Sequence, residues 1–292
     1  MSRRGTGRGR LVTRIAVGAA VLAGTALAAL QAWRIADDRA AAAAWRHLAT
    51  PPVHDGVRFD PAMVAGLPEP ARRFFQFAIR PGTLLATVAE ITMDGELSLG
   101  SKQEPGYQPM HARQILAAPR GLVWRVEMGR GLVHLSGSDV MDGDRSWTRF
   151  WLVDTLPIAR AGGDRDHLRS SFGRIVAEAM FWSPAALLPQ ANVRWEAMDA
   201  NTARATVTDA GMQQDVVIHV DAAGRPLWVS MRRWSNANAD GVFRLQPFGG
   251  DLSDFREVQG YQLPFRVDGG NFFGTPDYFP FYRAQVREIR LR

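Results

Sequence analysis

The chain of 292 residues contains no cysteine. This excludes disulfide bonds, thiolate metal ligands, cysteine nucleophiles and attachment of a lipid through an N-terminal cysteine. A domain folded outside the reducing cytoplasm must then rely on its hydrophobic core, and a chain of this length can bury a sizeable one. The apolar fraction of 46% is that of an ordinary folded protein, so disorder is not expected.

The sequence also lacks the short motifs of common catalytic sites. It has no Gly-x-Ser-x-Gly elbow, no P-loop and no dinucleotide glycine fingerprint. Its histidines are not spaced as metal-ligand pairs; they are His47, His54, His111, His134, His167 and His219. Asp139, Asp142 and Asp144 would suit calcium, but Asp142-Gly143 favours a hairpin turn. We therefore predict no cofactor, no metal and no catalytic residue.

The net charge of +6 does not come from the body of the chain. Residues 1–34 hold six arginines and no acidic residue, so the remainder balances 29 basic against 29 acidic side chains. Because a neutral body has no general reason to attract a phosphate backbone, binding to nucleic acid is not expected.

An uncharged run of 19 residues extends from Ile15 to Trp33. As a helix rising about 1.5 Å per residue, it spans close to the roughly 30 Å hydrocarbon core of a bilayer. Arginines precede the run and Asp37 and Asp38 follow it. The positive-inside rule therefore predicts a basic leader at 1–14 in the cytoplasm and a single-pass protein whose C-terminal domain lies on the periplasmic or extracytoplasmic side. A cleaved signal peptide is the alternative, because Ala26-Leu27-Ala28 offers a cleavage site.

Residues 34–60 are predicted to tether the membrane segment to the folded domain. Their first part, 34–48, is rich in alanine with mixed charge and predicts a helix that continues out of the membrane. Thr50-Pro51-Pro52 breaks this helix, and residues 51–60 are typical of a linker. The domain itself is predicted to occupy residues 61–292.

The clearest strand pattern lies between Ala203 and Trp234. Alternate positions at 216–220 and again at 227–231 are apolar, with turn residues at 221–224 between them, which predicts a hairpin with one apolar face. Similar runs separated by Asp-Gly and Pro-Gly turns follow one another from Leu84 to Ile158. Both halves of the domain are therefore predicted to be antiparallel sheet.

Amphipathic helices are predicted to cover the apolar side of this sheet. One runs from Leu67 to Ala78 and ends at Pro81-Gly82. The clearer one follows Asp164 and ends at the Phe181–Pro184 stop. Its apolar stripe comprises Leu168, Phe172, Ile175, Val176, Ala179 and Met180.

Several tracts resemble an uncharacterised bacterial family of membrane-tethered proteins. They are Ala177-Glu178 with Trp182, Pro184, Ala185, Leu187, Leu188, Pro189, Val193, Trp195 and Glu196, then Ala203 to Thr208, Pro247 to Gly250 and Asp254 to Arg256. That family is similar in fold to periplasmic lipoprotein carriers of the LolA and LppX type. The resemblance covers roughly residues 67–291 and implies an α+β, mainly antiparallel fold. A curved sheet, or half barrel, would wrap one or two helices behind the N-terminal transmembrane helix.

The resemblance further implies an apolar cavity suited to acyl chains or a lipidated partner. The cavity candidates are Trp124, Trp147, Phe172, Met180, Trp182, Trp195 and Glu178. The tryptophans would serve equally well as ordinary core residues. A buried Glu178 would need an arginine partner or a raised pKa, and Arg113, Arg149 and Arg174 are the candidate partners.

Three functions are compatible with these patterns. The first, which we favour, is a membrane-tethered envelope protein that binds a lipid, a lipoprotein or another amphiphile. The second is an envelope hydrolase that uses Glu178 with an aspartate such as Asp254. The third is a scaffold that binds another envelope protein through an exposed sheet edge or an aromatic patch.

Overall fold

A computed structural model describes residues 6–50 and 56–292. The start of the predicted leader and residues 51–55 of the predicted linker lie outside these ranges. The helices are α1 (Thr6–Leu48), α2 (Glu69–Ala78) and α3 (Arg165–Trp182), with short 3₁₀ turns at Pro61–Val64, Gly131–Val133 and Pro184–Leu187. The strands are β1 (Ala89–Ser98), β2 (Tyr107–Ala117), β3 (Gly121–Met128), β4 (Leu135–Asp142), β5 (Arg145–Leu152), β6 (Leu156–Gly162), β7 (Val193–Ala197), β8 (Thr202–Asp209), β9 (Met212–Val220), β10 (Pro226–Ser235), β11 (Arg244–Val258), β12 (Tyr261–Asn271) and β13 (Phe279–Leu291).

These thirteen strands form one antiparallel sheet in the order β6-β5-β4-β3-β2-β1-β13-β12-β11-β10-β9-β8-β7. The predicted central hairpin is β9–β10, in which Val229 faces Ile218. Its turn is held by Asp221, whose Oδ1 accepts hydrogen bonds from the amides of Ala223 and Arg225, both at 2.9 Å. Gly224 is required there, because its φ is +86° and an added Cβ would lie 2.2 Å from the carbonyl oxygen of Arg73. The predicted α+β, mainly antiparallel class is confirmed.

The sheet is strongly curved around α3. The Nε2 of His167 lies 3.0 Å from the Oγ1 of Thr148 on β5, while the neighbouring Asp166 accepts a 2.8 Å hydrogen bond from Trp234 on β10. Along a flat sheet with strands about 4.8 Å apart, β5 and β10 would be separated by about 38 Å. Adjacent residues of one helix can reach both strands only because the sheet bends around it.

Both inner helices bury the faces that their periodicity predicts. Asp164 caps α3 by accepting a 2.7 Å hydrogen bond from the amide of His167, and Phe172, Ile175 and Met180 are buried in one continuous core. Helix α2 packs near the β7 end of the sheet. There the rings of Phe74 and Phe75 lie 6.0 Å and 5.3 Å from that of Trp195.

The outer face of the sheet is also covered, and α1 covers it. Ala41, Ala44 and Leu48 pack on strands β2 to β5 in a second core. The strands contribute Val88, Ile115, Ala117, Val123, Val140 and Trp147 to this core, counting the residue just before β1. Small alanine side chains allow the helix backbone to approach the sheet closely. Residues 34–48, predicted as the helical part of a tether, thus continue α1 and pack against the folded domain.

A buried carboxylate fastens α1 to the sheet. Asp37 is 6% exposed and accepts hydrogen bonds from Arg149 at 2.9 Å, from Arg160 at 2.7 and 3.0 Å, and from the indole of Trp151 at 3.1 Å. Burial alone would raise the pKa of Asp37. The hydrogen bonds and charges of the two guanidinium groups outweigh it and hold this pKa below its ordinary value.

The N-terminal part of α1 projects from the domain. Within Arg10–Leu48, an 18-residue window has a mean hydropathy of 1.9, and none of it is buried in the protein. Among the described residues, this is the one helix long and apolar enough to cross a membrane. Its length and composition fit a membrane anchor or a signal sequence.

Replacing Asp37 by alanine is expected to lower the free energy of unfolding by about 3 kcal/mol, because two half-buried arginines and an indole lose their shared acceptor. Asp38→Ala is the matched control. Asp38 is more exposed and pairs with Arg34 and Arg125 at the surface, so its loss should amount to about 1 kcal/mol or less. Urea unfolding of the detergent-solubilised chain, followed by tryptophan fluorescence, measures both variants. Equal losses would contradict the role of Asp37 in fastening α1 to the sheet.

Candidate functional site

A cavity of about 240 Å³ lies between α3 and the centre of the sheet. Helix α3 contributes Arg174, Ala177, Glu178, Phe181 and Trp182 to its wall. The facing strands contribute mainly apolar residues, among them Trp124, Met231, Phe248, Leu252, Val267, Gly269 and Tyr282. Most of the wall is therefore apolar, with charged groups confined to one region.

Glycine keeps part of this space open. Tyr261, Leu263 and Val267 are buried on the inner face of β12, and Gly269 continues the same alternation without a side chain. The nearest atom to a Cβ added at Gly269 is the carbonyl oxygen of Gly249, at an ordinary 3.6 Å. The inner row of β12 thus stops filling the interior at the position where it reaches the cavity.

The polar region is organised by Arg174. Its Nε donates to Glu178 Oε1 at 2.6 Å, and its Nη1 donates to Asp139 Oδ2 at 2.7 Å. Gln114 accepts from Arg174 at 3.3 Å and donates to Glu178 Oε2 at 2.6 Å. Asp139 also accepts from the hydroxyl of Thr148 at 2.7 Å. The guanidinium therefore has both carboxylates as partners.

The charges of this network are mutually stabilising. Burial opposes the charge on Arg174, but Glu178 and Asp139 outweigh it and hold the pKa of Arg174 above its ordinary value. Burial, reinforced by the charge of Glu178, raises the pKa of Tyr282 well above its ordinary value. Both carboxylates are engaged in ion pairs, so the arrangement is that of a structural ion-pair network.

A second guanidinium borders the cavity without such partners. Arg233 lies over the ring of Phe248, with its Cζ 5.0 Å from the ring centroid. Its Nε is fully buried and has no hydrogen-bond acceptor among the described residues. Burial and then the nearby charge of Arg174 lower the pKa of Arg233 to about 10. The side chain therefore remains protonated at neutral pH.

The cavity candidates predicted from the sequence fall into different places. Trp124, Trp182 and Glu178 lie in the cavity wall. Phe172 and Met180 are buried in the core beneath α3 and do not line the cavity. Of the three candidate partners for Glu178, Arg174 is the one that it pairs with.

Trp195 and Trp147 lie away from the cavity. Trp195 packs on α2, and its indole donates a 2.9 Å hydrogen bond to the carbonyl of Leu187. Trp147 was expected inside but belongs to the outer core beneath α1. Alternate residues of a strand lie on the same face. Arg149 and Trp151, two and four residues after Trp147, both donate hydrogen bonds to Asp37 of α1, so Trp147 shares the face that α1 covers. Trp147 and Trp151 therefore both lie on the outer face of β5.

Arg233, Phe248, Gly269 and Tyr282 line the cavity but were not predicted from the sequence. A signal existed for Arg233. It continues the apolar positions Val229 and Met231 at intervals of two, which places a charged side chain on the inner face of β10.

The carboxylate pair that the hydrolase alternative would need is not formed. Asp254 is not part of the cavity wall, and its carboxylate accepts from Arg256 at 2.7 Å and from Gln285 at 3.3 Å. Glu178 is paired with Arg174 instead. The calcium alternative is also not met, since Asp139 pairs with Arg174 while Asp142 lies 2.7 Å from His47.

A family of unknown function, DUF6544, matches residues 57–284. The chain belongs to this family. A comparison with curated proteins gives no match.

Two solved structures are similar in fold. One is a LolA superfamily protein from Nitrosomonas europaea, with a TM-score of 0.39 and 11% identity, over 76% of this chain and 92% of that one. The other is a domain described as an outer membrane lipoprotein-sorting protein from Vibrio parahaemolyticus, with a TM-score of 0.35 and 11% identity, over 70% of this chain and 85% of that one. Such TM-scores indicate a loose likeness.

Arg174→Met is expected to lower the free energy of unfolding by about 3 kcal/mol at neutral pH, because Glu178 and Asp139 lose their shared cation. Arg169→Met on the exposed side of α3 is the control, with a loss of about 1 kcal/mol from its contact with Trp234. Urea unfolding at neutral pH, followed by tryptophan fluorescence, measures both variants. Equal losses for Arg174→Met and Arg169→Met would contradict the role of the network.

Proposed function

We propose that the protein is a membrane-anchored binding protein that holds an acyl chain in the cavity beneath α3. The chain would belong to a lipid, a lipidated protein or another amphiphile. The observation that carries this proposal is the cavity itself, which has an apolar wall and one charged region. Such a combination suits a ligand with an apolar body and a polar end.

The size of the cavity limits what it can hold. At about 240 Å³, it lies somewhat below the range of about 300–1,000 Å³ that is typical of sites for small molecules. One narrow chain fits such a volume better than a bundle of chains. Burial of a methylene group contributes about 0.8 kcal/mol, so even a partly inserted chain would be held firmly.

The anchor supports a location at the cytoplasmic membrane. The apolar part of α1 would cross the bilayer, and the arginines that precede it favour a cytoplasmic N-terminus. The domain would then lie on the periplasmic or extracytoplasmic side. A retained anchor permits the protein to hold or relay a ligand at the membrane surface but not to carry it across a compartment.

A substitution that fills the cavity is the sharpest test. Gly269→Leu has room for its Cβ, so the remaining side chain enters the cavity and should reduce acyl-chain binding by about tenfold or more. Gly66→Leu is the matched control, because nothing lies within 4 Å of a Cβ added there. The full chain in nanodiscs would be irradiated with a photoreactive acyl probe, and mass spectrometry would locate the crosslinks.

Crosslinks on α3 and on the inner face of β10 to β13 are expected in the unaltered chain and in Gly66→Leu, and their loss is expected in Gly269→Leu. Labelling that avoids these elements, or that Gly269→Leu leaves unchanged, would refute the proposal.

A further inference from the structure

The polar region of the cavity contains two guanidinium groups with different surroundings. Arg174 binds two carboxylates and an amide oxygen. The side chain of Arg233 has no hydrogen bond and no ion pair within the part of the chain that the structure describes, and it lies against the face of Phe248. A guanidinium carries five N–H donors and stays charged under all ordinary conditions. These donors, of which Nε is fully buried, therefore have no acceptor among the described residues.

Burial of an unpaired cation is unfavourable unless another group compensates it. The compensation here is indirect: Asp139 and Glu178 lie close enough to influence Arg233 electrostatically, but Arg174 already engages both. The Phe248 ring offers a weak cation–π contact and cannot accept bidentate hydrogen bonds. The position is thus suited to an oxyanion that enters from the cavity, because carboxylate and phosphate oxygens match the planar fork of a guanidinium.

We propose that Arg233 binds the anionic headgroup of the acyl ligand, so that the cavity selects carboxylate- or phosphate-bearing amphiphiles over neutral ones. This inference rests on the proposed function and names its ligand class. The acyl chain would lie along Trp182, Leu252 and Val267, and the oxyanion would meet the free donors of Arg233. Arg174 would not compete for the anion, because its own partners remain in place.

The test compares three probes with the same twelve-carbon chain, namely dodecanoate, dodecyl phosphate and dodecanol. Each competes with the photoreactive acyl probe for the full chain in nanodiscs at about pH 8, where the carboxylate is ionised. The quantity measured is the ratio of the dodecanol concentration to the anion concentration that halves crosslinking. Partitioning into the bilayer is the same for all protein variants, so it cancels when their ratios are compared.

In Arg233→Met this ratio is expected to fall by about tenfold or more relative to the unaltered chain, because a charge-assisted bidentate contact is lost while the apolar stem is kept. Arg233→Lys keeps the charge and should keep much of the preference. Arg232→Met is the matched control on the opposite face of β10, where Arg232 is exposed and donates to the carbonyl of Leu245. Its ratio should not change.

An unchanged ratio in Arg233→Met would overturn the inference and leave the proposed function intact. A chain that crosslinks nowhere in the cavity would overturn the proposed function, and this inference with it. If the cavity selects anions, dodecanoate and dodecyl phosphate are then compared with each other. The probe that competes more strongly identifies the headgroup as a carboxylate or a phosphate.

A separate observation concerns the end of the sheet beside α1. Gln31 donates a 2.9 Å hydrogen bond to the carbonyl of Asp154 in the β5–β6 turn. The amide of Val153 in the same turn donates to the carbonyl of His134, which ends the β3–β4 loop. Gln31 belongs to the uncharged run that would cross the bilayer. Two hairpin ends therefore lie level with the last turn of the membrane segment.

These hairpin ends carry exposed apolar side chains. Leu132 is 84% exposed in the β3–β4 loop, Val133 is exposed beside it, and Val153 and Leu156 are exposed in and after the β5–β6 turn. Isolated exposed leucines are common on protein surfaces, but these occur together where the chain meets its anchor. We infer that the ends of these two hairpins enter the interfacial layer of the bilayer that α1 crosses. The occupant of this surface is lipid.

The absence of cysteine makes this inference directly testable. Leu132→Cys in the full chain, labelled with an environment-sensitive fluorophore and placed in vesicles, should be quenched severalfold by lipids that carry a nitroxide. Asp144→Cys is the control. It lies in the β4–β5 turn, about 26 Å away along the eight residues of β4, and should be unaffected. Equal quenching at both positions, or none at 132, would overturn the inference.

Discussion

The inner face of the sheet is longer than the helix that must cover it, and this mismatch shapes the domain. Thirteen strands would extend about 58 Å if flat, whereas the 18 residues of α3 reach about 27 Å. The apolar face is buried only because the sheet bends until β5 and β10 meet the first turn of the helix. The protein's own side chains fill most of the enclosed volume. The cavity is the remainder, next to a strand position that has no side chain.

The sequence predicts those elements that bury a single face. The β9–β10 hairpin and α3 each have one apolar side, so their periodicities of two and 3.6 are visible along the chain. The pairing of Glu178 was also within reach, because Arg174 precedes it by four residues on the same helix face. What periodicity could not give was the degree of bending, since that depends on contacts between residues far apart in sequence.

The sequence does not distinguish inside from outside where both faces of a strand are buried. Successive residues at 114–117 and 121–124 are all buried, because α3 lies on one side and α1 on the other. Alternation then no longer marks the core, and Trp147 looks the same as Trp124. Their separation depends on α1, whose role as an outer layer is concealed by its alanine-rich composition. From the sequence alone, Asp37 contributed only to the predicted orientation of the apolar segment, and its role as a buried acceptor could not be foreseen.

Arg233 shows another property that the sequence alone could not predict, namely whether a charged side chain has a partner. Its position in the alternation of β10 placed it on the inner face, where a charged residue is unusual enough to deserve a reason. The sequence could not say whether a carboxylate elsewhere would neutralise it. That required the three-dimensional arrangement, in which both nearby carboxylates are taken by Arg174. The proposed anion site thus exists because Asp139 and Glu178 pair with Arg174 and not with Arg233, and these residues lie far apart along the chain.

Helix α1 runs without a break from its apolar part to Leu48, and Asp37 fixes it to the sheet. The apolar part of α1 and the domain therefore belong to one continuous unit. A turn of the helix about its own axis would rotate the whole sheet through the same angle. In the proposed membrane-anchored state, a neighbouring helix that packed against the apolar part of α1 would set the direction in which the cavity faces along the membrane plane.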